Sequence, residues 1–207
     1  MVDTQVRPSD VTKFPIIDAL LGVAREDYVP DSKRDAAYIG ENIDIGEGRV
    51  LLEARTLAKM LDAADVQPND VVLDLGCGLG YSTAVLARLA DFVVAVEDDA
   101  ARAEEAQQIL SANGVDNAAI FEGPLADGAA KNGPYDLIIL QGAVETIPDG
   151  LLAQVKEGGR MVAIFAEGAL GVVRVGRKID GAMNWRMSFN AGAPVLDGFT
   201  KDAAFTL

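Results

Sequence analysis

The sequence predicts a single doubly wound α/β domain whose sheet is mostly parallel, capped at its N-terminus by helices. Three observations carry that expectation. From Gln67 onward, short apolar runs alternate with helix-spaced stretches. The first of those runs leads straight into a glycine loop that opens a helix. The 207 residues, 50% hydrophobic and 24% charged, suffice for one sizeable core and are few for two independent domains.

Taken in order, Ile16, Ile17, Leu20, Leu21 and Ala24 share a helical face, and Pro30 stops the pattern after Tyr28-Val29. Gly40 to Gly48 reads as an irregular loop. A second amphipathic helix is expected over about Leu51 to Ala64, with Leu57, Met60 and Leu61 inward. Strands are expected at Val71–Leu75, Phe92–Val96, Ala118–Phe121, Tyr135–Leu140 and Arg160–Phe165, with helices at Tyr81–Leu89, Asp99–Ala112 and Asp149–Val155 between them. Near-continuous apolar strands separated by helices indicate a parallel sheet covered on both faces. Gly171–Gly176 and Met183–Asn190 alternate more and read as strands at the sheet edge. The segment after Gly192 has too little periodicity to place.

Composition removes several classes of function. Thirty-two acidic residues against 18 basic ones give a net charge of −14, which repels phosphate backbones and anionic lipid. Nucleic acid and membranes are therefore not expected partners. The sequence contains no His, so neither a Ser-His-Asp triad nor a metal site built on imidazole is possible, and no metal is expected. One cysteine, Cys77, cannot close an intramolecular disulfide, and the start lacks a basic segment followed by an apolar one. A cytoplasmic location is the expectation.

The chemistry concentrates after the first strand, in Asp74-Leu-Gly-Cys-Gly-Leu-Gly80. Gly76, Gly78 and Gly80 let the backbone turn tightly and let a ligand approach it. A dinucleotide fingerprint would place its third small residue at position 81, where this chain has Tyr81, and that bulk argues against a pyrophosphate cofactor. The spacing suits a ligand ending in an amino acid, with Asp74 available to face its ammonium. Glu97 closes the second strand, where a carboxylate can accept both hydroxyls of a ribose. A ribose, an ammonium and a carboxylate without phosphate describe S-adenosyl-L-methionine. The plainer alternative is a glycine turn beside a solvated Glu97-Asp98-Asp99 run.

Val71-Val-Leu-Asp-Leu-Gly-Cys-Gly-Leu-Gly-Tyr-Ser-Thr-Ala-Val-Leu-Ala87 resembles the first motif of class I S-adenosylmethionine-dependent methyltransferases, which have a Rossmann-like fold. It is most similar to that of the protein-L-isoaspartate (D-aspartate) O-methyltransferase family. Ile17-Asp-Ala-Leu-Leu-Gly-Val-Ala-Arg-Glu-Asp-Tyr-Val-Pro30 and Ala37-Tyr38 match that family's N-terminal signature. Pro134–Ile139 and Ile147–Val162 resemble its later motifs, and Met187–Phe189 is a weaker echo. The resemblance implies one methyltransferase domain over 1–207, with a cap and substrate region over 1–66, a cofactor-binding core over 67–165 and edge strands over 166–207. It implies methyl transfer to a carboxylate of abnormal aspartyl residues in proteins or peptides. Cofactor contacts are then expected from Asp74, Gly76, Cys77, Gly78, Gly80, Tyr81, Glu97, Asp98, Gly123, Pro124, Leu125 and Gln141.

Two motifs depart from the family. Where it has a Ser in the loop before the second helix, ungapped counting puts Leu52, with Ala54 on the family's Pro and Arg55 on its aromatic residue. Gly123-Pro124-Leu125 replaces an acidic Gly-Asp-Gly beside the adenine. Arg55 reads either as a fork for a substrate carboxylate or as a solvated helix residue. Thr56, the nearest hydroxyl, reads either as its replacement or as packing. Gln141-Gly142 is either a substrate-facing strand end or a turn, Tyr38 either covers the site or packs in the core, and Trp185 packs on an edge strand. Two alternatives accompany the leading function: methylation of another small acid, and a non-catalytic module that keeps the cofactor pocket. Nucleic-acid methylation is disfavoured, because the fourth strand ends in Leu140-Gln-Gly-Ala without an Asn/Asp-Pro-Pro-aromatic motif.

Overall fold

The computed structural model describes residues 1–168 and 170–201. A helix α1 (Phe14–Gly22) and a hairpin of β1 (Ile43–Gly46) and β2 (Arg49–Leu51) precede α2 (Ala54–Ala64). The alternation then runs β3 (Val71–Leu75), α3 (Tyr81–Ala87), β4 (Phe92–Glu97), α4 (Ala100–Ala112), β5 (Ala118–Glu122), β6 (Tyr135–Val144), α5 (Asp149–Leu152) and β7 (Val155–Glu167). Strands β8 (Leu170–Ile179) and β9 (Ala182–Asn190) follow. The main sheet has the order β5-β4-β3-β6-β7-β8-β9. Strands β5 to β7 are mutually parallel, while β8 and β9 join antiparallel at one edge.

The unbroken apolar text of the central strands follows from two covered faces. Val72, Val93, Leu137, Ile139 and Val162 pack on the side of α1, α2 and α3. Their strand neighbours Leu73, Leu75, Val94, Ile138, Leu140 and Met161 point the other way, into a second cluster with Tyr135, Leu151, Leu196 and Phe199. Since successive strand residues alternate sides, both must be apolar. The chain order reverses at β3, which has β4 on one side and β6 on the other. Crevices for ligands open at such a point, beyond the carboxyl ends of the strands.

Several expected boundaries shift. The loop expected over Gly40–Gly48 is largely the β1–β2 hairpin, turned by Gly46, Glu47 and Gly48, all at positive φ, so α2 starts at Ala54. Helix α5 is one turn, because Val155 is drawn into the sheet opposite Tyr135. Beyond Gly192 the chain lies along the end of β6. Ala143 donates to the Pro194 carbonyl (2.8 Å), Leu196 donates back to Ala143 (2.9 Å), and Phe199 is buried.

Candidate functional site

The glycine loop leaves β3 at the chain reversal. Its glycines hold φ of 74°, 59° and 94° at 76, 78 and 80, in the left-handed region that favours glycine. The Gly76 amide donates to the Val96 carbonyl (2.8 Å), which fastens the loop to the end of β4. Gly78 donates to Glu97 Oε2 (2.8 Å). The loop and the acid singled out by the sequence therefore touch directly.

Glu97 is fully buried and is already engaged. Arg49 reaches across from β2, with Nη1 3.0 Å from Oε1 and Nη2 3.4 Å from Oε2. Arg102, in the first turn of α4, adds Nη1 at 2.7 Å from Oε1. Asp98, a quarter exposed, takes a second bond from Arg49 Nη1 at 2.7 Å. Burial pushes the Glu97 carboxyl up, opposed by Arg49, Arg102 and the Gly78 amide. Beside this cluster lies a cleft of about 490 Å³, lined by Arg49, Asp98, Arg102, Val195 and Leu196 among others.

Asp74 lies beneath the glycine loop. Its Oδ2 accepts from Ser82 and Thr83 and its Oδ1 from Gln141, each at 2.7 Å, and it is wholly buried. These bonds tie Asp74 to the start of α3 and to β6, with a single donor on Oδ1. Gln141 serves Asp74 in the same way. Burial pushes the Asp74 carboxyl up, against those three hydrogen bonds. Tyr81 is likewise interior: its ring meets Tyr28 edge-on at 5.8 Å and lies under the Arg25 guanidinium at 4.8 Å. Cys77 is buried, and desolvation drives its thiol well above the ordinary range, with Asp74 and Glu97 adding to the rise. That holds it neutral and makes it no nucleophile.

Past the end of β5, Gly123 has open space where a Cβ would stand, and its amide donates to the Glu97 carbonyl (3.0 Å). Pro124 caps a single 3-10 turn, and Leu125 is buried against Gly76. Just before α2, Leu52 is buried and apolar, and its carbonyl accepts from Arg25 Nη2 at 2.6 Å. Thr56 donates to Glu53 Oε1 (2.7 Å), and Arg55, partly exposed, lies 3.5 Å from the same oxygen. Arg55 and Thr56 thus gather around Glu53, whose amide donates to Asn42 Oδ1 (2.8 Å). Tyr38 stands on the cap, part-exposed, donating to Glu26 and accepting from the Arg25 amide. Trp185, on the edge strand β9, packs edge-on against Phe165 of β7.

A family model described as protein-L-isoaspartate(D-aspartate) O-methyltransferase matches residues 3–190. The chain belongs to this family. A protein-L-isoaspartate O-methyltransferase from Syntrophus aciditrophicus is 36% identical over 162 residues, 78% of this chain and 74% of that relative. One from Koribacter versatilis is 33% identical over 183 residues, 88% of this chain and 82% of that relative. Among solved structures, a protein-L-isoaspartate O-methyltransferase superposes with a TM-score of 0.81 at 23% identity, over 93% of this chain and 63% of that longer one. A Plasmodium falciparum structure named as a protein-L-isoaspartate O-methyltransferase, in complex with S-adenosyl-L-homocysteine, gives 0.80 at 18% identity, over 92% of this chain and 94% of that one. Both share the methyltransferase fold.

The sequence missed Arg49, Arg102, Ser82, Thr83, Glu53 and Arg25. Ser82 and Thr83 carried a signal, since they sit in the first turn of the helix the loop opens. Arg49 carried none: its partner is 48 positions away, and only the hairpin brings the two together.

Proposed function

We propose that this chain is an S-adenosyl-L-methionine-dependent O-methyltransferase acting on the free carboxylate of isoaspartyl residues in proteins or peptides. Membership of the family carries the reading, and the direct contact between the Gly78 amide and Glu97 supports it locally. A backbone cradle and a two-oxygen acceptor at the ends of adjacent strands suit an adenosyl amino acid. Gly76, Gly78 and Gly80 would hold its amino-acid end, Glu97 and Asp98 its ribose, and Gly123, Pro124 and Leu125 its base. Asp74 and Gln141 support that loop from beneath. When bound, the cofactor supplies a methyl group on a positively charged sulfur, already an activated electrophile.

The chain's own task is then small. The substrate carboxylate is anionic near neutral pH, so no side chain has to remove a proton, which fits a sequence without His. What is required is alignment and exclusion of water. Leu52 supplies a dry wall at the position that the family resemblance gives to a Ser, and Arg55, partly exposed beside Glu53 at the start of α2, is the guanidinium proposed to take a carboxylate. Among the described residues no helix is long and apolar enough to cross a membrane, and the reading places the reaction in the cytoplasm. Its partners are proteins or peptides with abnormal aspartyl residues.

Transfer of tritiated methyl from the cofactor to an isoaspartyl peptide tests this, run beside Leu52→Ser. Transfer by both proteins is expected, with cofactor affinity in the micromolar range, about −8 kcal/mol. Because Leu52 is buried and apolar, a specific second reading exists: the pocket is kept and the reaction lost. Transfer by the Leu52→Ser protein alone would favour that module. Transfer to a small acid but not to the peptide would redirect the acceptor.

A further inference from the structure

We propose that Arg49 is a built-in competitor for the ribose seat, so that the β1–β2 hairpin acts as a gate the cofactor must displace. This rests on the cofactor reading above and specifies how access to that site is controlled.

Four observations converge on it. First, Arg49 uses both terminal nitrogens on the two oxygens of Glu97, the same two oxygens a vicinal diol would need. Second, the space that glycine normally leaves for a ligand is filled by the hairpin: a Cβ on Gly76 would come within 2.5 Å of Arg49 Nη2, and one on Gly78 within 2.7 Å of Ile45 Cδ1. Third, Arg49 fits this place imperfectly. Its Nε is buried with no partner among the described residues, and such an orphan lowers the stability of the closed arrangement. Fourth, an exit is at hand. Asp98 already accepts from Arg49 Nη1 at 2.7 Å, is a quarter exposed and borders the cleft. Arg49 can therefore let go of Glu97, keep Asp98 and turn outward without becoming an unpaired buried charge.

Arg102 completes the device. It holds Glu97 Oε1 at 2.7 Å from α4 and does not belong to the hairpin. With Arg49 gone, Glu97 keeps Arg102 on Oε1 and the Gly78 amide on Oε2, and the acceptor positions that Arg49 held are released for a diol. Charge balance is kept in both positions of the gate. The free energy that Arg49 gains on Glu97 is subtracted from the cofactor's apparent affinity, because only the fraction of molecules with Arg49 turned out can bind.

The experiment is equilibrium binding of S-adenosyl-L-homocysteine, followed by calorimetry, to the 207-residue wild-type chain, Arg49→Ala and Arg49→Gln. The Gln variant keeps the stem and a hydrogen-bond donor without the charge, which guards against a folding failure in the Ala variant; far-UV circular dichroism checks both. Removal of the gate is expected to tighten binding at least tenfold in either folded variant. Binding by a variant where the wild type shows none supports the gate equally. Equal affinity in all three proteins, or weaker binding by the variants, overturns the gate and leaves the cofactor reading standing. No binding by any of them overturns the cofactor reading, and the gate with it.

Discussion

At the scale of single residues, the position of Glu97 was legible and its company was not. A carboxylate closing a strand next to a glycine loop can be read from spacing alone, because the parallel register fixes which residues end level with one another. Asp74 was equally visible, but not its partners Ser82, Thr83 and Gln141. The hydrogen bonding of a buried acid depends on rotamers and on residues from a distant strand, which no linear pattern records. The gate gives Glu97 and Arg49 opposite signs. Glu97→Gln keeps the shape and removes the charge, and should weaken cofactor binding roughly ten- to a hundredfold, about 1.5–3 kcal/mol for a hydrogen bond to a charged group. It also takes from the buried Arg102 its closest carboxylate, while Arg49 keeps Asp98, so stability should fall by about 1–3 kcal/mol. Calorimetric titration and urea unfolding read the two effects separately. Wild-type affinity in Glu97→Gln would remove Glu97 from the ribose site.

Among elements, the central strands and α3 and α4 were readable because their patterns answer to the covered sheet faces and to helix periodicity. Short irregular pieces were not. The β1–β2 hairpin is specified by Gly46, Glu47 and Gly48 at positive φ, and glycines in a loop tell of a turn without telling what it pairs. Residues 193–201 had no periodicity because, among the described residues, they pair with the sheet at a single bridge, Ala143 to Val195, and are otherwise held by loop hydrogen bonds such as Glu145 N–H to the Phe199 carbonyl. Gly142 is what allows it to lie there. A Cβ at that position would meet Leu196 Cδ2 at 2.5 Å and the Pro194 carbonyl oxygen at 3.2 Å, and Leu196 is itself buried. Gly142→Ala should thus cost about 1–3 kcal/mol through overpacking and loosen residues 194–199 from β6. Urea unfolding measures the first. Limited proteolysis measures the second: cleavage in that segment should quicken in the variant, and an unchanged rate would show that Leu196 simply moves aside.

Across the whole molecule, cap, core and edge are tied by buried polar links as well as by apolar packing. Arg160 on β7 donates to the carbonyls of Ala64 (2.9 Å) and Asp65 (3.1 Å) at the end of α2 and to Asp70 beside β3. Arg25 joins the cap to the loop helix over Tyr81. On that basis residues 1–207 are proposed to unfold as one cooperative unit, and the tyrosines offer a way to test it. All four have raised pKa values. Burial lifts Tyr28, Tyr38 and Tyr135 to about 12, with Asp27 adding to Tyr28 and Glu26 to Tyr38, and burial lifts Tyr81 against the neighbouring Arg25. A phenol whose folded pKa exceeds its unfolded value of about 10 contributes stability that is complete below pH 10 and is lost as pH rises toward the folded value. Tyr38 lies on the cap, Tyr28 and Tyr81 where the cap meets α3, and Tyr135 in the cluster on the opposite sheet face. Stability should accordingly decline between about pH 10 and pH 12. Phenolate absorbance and far-UV circular dichroism should then change together in one transition on alkaline titration. Two separated absorbance steps, with helix lost in the first, would mean that the cap unfolds independently of the sheet.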